Sequence, residues 1–178
     1  MASLLVDADS VHRDIRSIIL RRAVRNHLEA FFVADRSLDD VKRAIEEDTR
    51  LLRYPHRLTM EKSELRAIRS RISMIVVESG ANSADDRIVE IAASPSLAIT
   101  HDIPLAARLI EKGILVMDDR GHEYSKENIR ERLSLRDCMT EFRNMGIKTA
   151  ERQERITQRT IQEFSNTFDR LCNLVFHA

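Results

Sequence analysis

The residues with the clearest chemical potential are aspartates that follow apolar runs. Leu4-Leu5-Val6 runs into Asp7-Ala8-Asp9 within the first ten residues. "SGANSADDRIVE" follows Met74–Val77 and carries Asp85 and Asp86. "LAITHDIPLA" places Asp102 just past Leu97–Thr100, and Asp118 and Asp119 follow Ile114–Met117. Several carboxylates brought to one place cannot all stay ionised without a cation. Their hard oxygens suit magnesium or manganese. Such a site polarises a phosphoryl oxygen and supplies a hydroxide nucleophile, the chemistry of phosphodiester or phosphomonoester hydrolysis.

Each aspartate also has a local reading. Asp9 or Ser10 can cap the helix that follows. Ser83 and Asp86 fit the S-x-x-D capping box. Asp85 suits a helix N-terminus through the dipole, and Asp118-Asp119 before Arg-Gly suits a turn. What raises the group above its members is recurrence after the first, third and fourth apolar runs. Asp7 and Asp102 have the weakest local explanations. His101 adjoins Asp102; a loop histidine beside an acid is ordinarily solvated, with substrate contact as the alternative. The remaining histidines have no metal-ligand spacing, and Cys138 and Cys172 read as reduced core thiols.

Five short apolar runs must position these acids: Leu4–Val6, Phe31–Ala34, Met74–Val77, Leu97–Thr100 and Ile114–Met117. Each is too short for a helix, and runs apolar on both faces suit a parallel sheet covered on both sides. Helical spacing follows the first, third and fourth runs, with Pro104 placed for a helix first turn. Alternating strand and helix predicts a doubly wound α/β sheet. In such sheets ligands bind outside the carboxyl ends of the strands, where Asp7, Asp85, Asp86 and Asp102 fall.

Two regions interrupt the rhythm. Residues 36–71 form a charged helical insert, whose second half is rich in arginine and is a candidate polyanion contact. Residues 125–178 read as helical with a break near "NMGIKT". Ile129, Leu133, Leu135, Met139 and Phe142 predict a helix packed on the sheet, and Ile161, Phe164, Phe168, Leu171, Leu174 and Val175 another. The 178 residues suit one domain. Lys plus Arg equal Asp plus Glu at 29 each, so any polyanion site must be a local patch. No run approaches a membrane span, and the protein reads as cytoplasmic. Monomer and homo-oligomer both remain open.

"LLVDAD", "SADDRIVE", "ITHDIPLAARLIEKGILVMDDRG" and "YSKENIRERLSLRDCMTEFR" together resemble the bacterial YaiI/YqxD family, related to PIN and NYN nuclease-like domains. The resemblance implies a PIN-like three-layer α/β/α sandwich with a central, mostly parallel sheet, extended here by C-terminal helices. It also implies a magnesium or manganese site for RNA cleavage. Asp7 and Asp102 would be ligands, with either Asp85 or Asp86, and Asp9 a supporting or additional one. Ser83 and Thr100 would line the site, and Arg87 is a further candidate substrate contact. The family usually continues its first motif as "DADACP"; this chain reads "DADSVHRD", so any role of that cysteine is absent. The 36–71 insert is also longer than the family's usual link.

The leading expectation is a metal-dependent nuclease acting on RNA. One alternative is a non-catalytic PIN-like module binding RNA or protein. A weaker one is a haloacid-dehalogenase-type phosphatase. "DADSV" fits its D-x-D-x-[TV] pattern, with Asp7 as nucleophile and Asp9 as acid/base.

Overall fold

The computed structural model describes residues 2–78, 80, 83–146 and 155–177. Five strands run parallel: β1 (Ser3–Asp7), β2 (Ala30–Ala34), β3 (Ile72–Val76), β4 (Ser96–Ile99) and β5 (Leu115–Met117). The short β6 (Glu123–Tyr124) pairs antiparallel with β5. The sheet order is β3-β2-β1-β4-β5-β6. Seven α-helices connect and cover it: α1 (Arg13–Asn26), α2 (Asp39–Arg53), α3 (Lys62–Ala67), α4 (Ser83–Ile91), α5 (Ile103–Glu111), α6 (Ile129–Asn144) and α7 (Gln158–Phe176). Each of the five expected strands is present to within a residue or two. β6 is too short to leave a sequence pattern.

The two-residue period of a strand divides β1 between two cores. Leu4 and Val6 face a cluster with Ile15 and Ile19 of α1, Val41 of α2, and Phe164, Phe168 and Leu171 of α7. Leu5 faces a second cluster with Ile88 of α4, and Leu105 and Leu109 of α5. Helices thus cover both faces, giving the α/β/α layering and explaining why these strands are apolar throughout.

The chain winds one way through β1, β2 and β3, then crosses back through α4 to place β4 on the other side of β1. The order therefore reverses between β1 and β4, where doubly wound sheets open a crevice at their carboxyl ends. Asp7 ends β1 at that point, because Val6 pairs with Ile99 and Thr100 comes next.

The 36–71 insert is α2, a 3-10 turn (Tyr54–His56) and α3. As the connection between parallel β2 and β3, α2 carries the chain back toward the start of the strands, where the Ala30 N–H donates to the Arg71 carbonyl at 3.1 Å. Arg50, Arg53, Arg57, Arg66, Arg69 and Arg71 thus belong to the end of the sheet opposite Asp7. Arg53 donates to the Ile68 and Arg66 carbonyls, tying the insert to itself.

The two C-terminal helices differ from each other. α7 buries Phe164, Phe168, Leu171, Cys172 and Val175, as its spacing predicts. Gly121 makes that packing possible: a Cβ there would lie 2.7 Å from the Glu163 backbone, and its φ is +91°. α6 packs on α5 and buries only Ile129. Leu135, Met139 and Phe142 stay exposed, because α4 and α5 already cover that face of the sheet. Cys138, expected in a core, is likewise exposed. α6 ends within the "NMGIKT" segment, whose last three residues lie outside the described ones.

Candidate functional site

The site is built on the β1–β4 crossing. Asp7 is 6% exposed. Thr100 Oγ1 donates to Asp7 Oδ2 at 2.8 Å and accepts the Asp102 N–H at 3.0 Å, so one hydroxyl ties the two strand ends together. Asp102 Oδ1 accepts the Leu105 N–H at 2.8 Å and caps α5, with Pro104 in the first turn. Asp102 therefore has a structural duty that its sequence context leaves unstated. Its second carboxylate oxygen is not used by the cap.

Asp85 enters from the first turn of α4. Burial pushes its carboxyl up to about 6, helped by the negative charges of Asp102 and Asp7 and opposed by Arg108. Burial also raises Asp7, against hydrogen bonds from Ser10 and Thr100. A buried acid flanked by acids is the electrostatic environment that a cation would relieve.

The neighbouring acid, Asp86, points elsewhere. It is exposed and its Oδ1 accepts Arg108 Nη2 at 2.7 Å. Of the two residues the sequence left equal, Asp85 is the one that faces Asp7 and Asp102. Asp9 is turned toward β2: its carboxylate accepts the Asp35 N–H at 2.6 Å and lies 3.4 Å from Arg36 Nη1. Ser83 Oγ donates to the Glu78 carbonyl at 2.7 Å and forms no capping box with Asp86 among the described contacts. Arg87 is engaged by Glu90 one helical turn on. Of the sequence candidates, Asp7, Asp85, Thr100 and Asp102 come together. Asp9, Asp86, Ser83 and Arg87 are engaged elsewhere.

Among the described residues, no three Asp, Glu, His or Cys side chains are placed so as to hold a metal ion. The donor chemistry nonetheless suits a hard cation, since magnesium needs only one or two carboxylates and keeps several waters.

A second group lies on the other side of the Asp7 loop. Asp119 is 7% exposed; its Oδ2 accepts the His12 N–H at 3.2 Å and its Oδ1 lies 3.4 Å from His101 Nδ1. That second distance is ion-pair range, longer than a good hydrogen bond, and Oδ1 has no closer partner among the described residues. Burial would raise the Asp119 carboxyl, but His101, the His12 N–H and Arg120 together outweigh it and hold it below its usual range. Asp119 in turn raises the His101 imidazole. Asp118 forms the turn that the sequence suggests, accepting the Arg120 and His122 N–H groups at 2.9 and 2.8 Å. Asp119 does not share that role. Its partners are a hundred residues away in sequence, so only its position after an apolar run could have marked it.

An α/β/α sandwich with buried acids at its strand crossing defines the class. Residues 39–174 match the model of the "Uncharacterized BCR, YaiI/YqxD family". The chain is 35% identical to a UPF0178 protein of Acinetobacter baylyi over 166 residues, covering 93% of this chain and 90% of that protein. It is 36% identical to a UPF0178 protein of Vibrio atlanticus, with 93% and 95% covered. For a UPF0178 protein of Trichlorobacter lovleyi the identity is 34%, with 95% and 92% covered. The chain belongs to the YaiI/YqxD family. Among the described residues no helix is long and apolar enough to cross a membrane.

Proposed function

We propose that the protein is a metal-dependent nuclease that hydrolyses RNA phosphodiesters at the β1–β4 crossing. The observation that carries this reading is the mutual crowding of Asp7, Asp85 and Asp102, seen in the rise of the Asp85 carboxyl to about 6. Asp7 and Asp85, with the free oxygen of Asp102, would hold magnesium or manganese. Such an ion supplies polarisation of a phosphoryl oxygen and a water made acidic enough to attack phosphorus. Thr100 fixes the Asp7 carboxylate, so that its free oxygen keeps a constant direction. The Asp102 cap holds the α5 start in register with the same hydroxyl.

One observation favours a non-catalytic RNA-binding module instead: Asp102 spends one oxygen as a helix cap. The phosphatase alternative requires Asp9 beside Asp7 as acid/base, whereas the Asp9 carboxylate is engaged by Asp35 and Arg36. The deciding assay incubates labelled RNA and single-stranded DNA with manganese, magnesium or chelator, using wild type, Asp7→Asn and Asp102→Asn. The expected result is metal-dependent RNA cleavage, lowered ~100-fold or more in each variant with the fold intact. RNA retention without product across both metals would replace the nuclease by the binding module.

A further inference from the structure

The loop carrying Asp7 has a second wall, and a cavity of about 490 Å³ opens against it. Ser10 joins the two sides: its hydroxyl donates to the Asp7 carbonyl at 3.2 Å and accepts the His101 N–H at 3.2 Å. The lining combines His12, His101, Arg120 and Arg155 with Asp9 and Asp119, and only Val11 and Ile156 are large and apolar. Both acids have established partners. Asp9 is held by Arg36 and the Asp35 N–H, and Asp119 by the His12 N–H and the His101 ring. Arg155 has no carboxylate partner among the described residues.

Asp119 gives His101 a direction. With Nδ1 turned to the buried carboxylate, the opposite ring nitrogen, Nε2, points away from it as a donor. A cavity of this size with few apolar walls and convergent cationic donors fits an anionic ligand of nucleotide size. We propose that it is a phosphate-binding site, in which His101 and Arg155 hold a phosphate group of a nucleotide strand. That the strand is RNA rests on the reading of the preceding subsection; that the cavity takes phosphate does not.

The test measures binding of inorganic phosphate, AMP and a short single-stranded RNA by calorimetry, in chelator so that no metal bridges the ligand. The expected result is binding of AMP and RNA, weakened about tenfold or more in His101→Gln and in Arg155→Gln. Asp102→Asn should leave it unchanged. Both replaced side chains are exposed, and circular dichroism checks their folds. Binding of inorganic phosphate alone would also support the site, assigning it to free phosphate rather than a strand. Absence of binding by all three probes, or equal binding in both variants, overturns the proposal. Loss of metal-dependent cleavage with AMP binding intact would sink the nuclease and leave the phosphate site standing; the reverse pattern would do the opposite.

Discussion

Two groups of buried acids occupy opposite ends of this sheet, and they are built on opposite principles. Asp48 of α2 is fully buried. It accepts from Ser70 Oγ and meets His27 Nδ1, each at 2.6 Å. Asp7, Asp85 and Asp102 have each other's charge as neighbours, and burial raises Asp7 and Asp85 rather than being offset. A buried acid given partners fastens elements together, here α2 to the chain entering β3. A buried acid set against other acids costs stability, and a sequence keeps such an arrangement for a purpose other than folding.

The largest effect expected from this contrast is at Asp48. Asp48→Ala leaves Ser70 and His27 without their acceptor and should destabilise the fold by about 2–3 kcal/mol. The figure lies at the low end for a broken buried pair because the His27 side chain is 43% exposed. Urea unfolding at neutral pH measures it. A loss under 0.5 kcal/mol would mean that Asp48 is not the fastener described.

At the other end the sign reverses. The folded Asp85 carboxyl, at about 6, holds its proton more tightly than the unfolded one at 3.8. Its contribution therefore favours folding least above pH 6, and stability is lost as pH rises from about 4 through 6. Asp85→Asn removes the charge. It should stabilise the metal-free protein at pH 7.5 by about 1 kcal/mol, the full shift being discounted because Asp85 is partly solvated. Near pH 4 the gain should vanish. A variant less stable than wild type at pH 7.5 in chelator would place Asp85 among the fastening acids. Added manganese should protect the wild type against heat more than Asp85→Asn, because binding to the folded form raises its stability by mass action.

The contrast between fastening and crowded acids was only half legible in the sequence. The strand runs were plain, because Leu4, Leu5 and Val6 are apolar on both faces, and so was the location of Asp7 at a carboxyl edge. The choice between Asp85 and Asp86 was not. Adjacent helical residues point about 100° apart, so one faces the crossing and its neighbour meets Arg108, but which does so depends on how α4 is rotated on the sheet. α6 was misjudged for a related reason. Periodicity marks an apolar stripe on Leu135, Met139 and Phe142 without saying whether a partner surface remains for it. Asp119 read as a turn because its true partners, His12 and His101, arrive from other strand ends.

Asp102 gives the smallest stability effect and the cleanest separation of duties. Its carboxylate caps α5 and faces Asp85, so loss of the side chain confuses folding with chemistry. Asparagine caps helices about as well as aspartate. Asp102→Asn should therefore unfold within about 0.5 kcal/mol of wild type, whereas Asp102→Ala should lose about 1 kcal/mol. If Asn keeps the cap yet abolishes metal-dependent cleavage, the charge of Asp102 serves the site. If Asn and wild type cleave alike, Asp102 is a cap alone, and Asp7 and Asp85 must suffice.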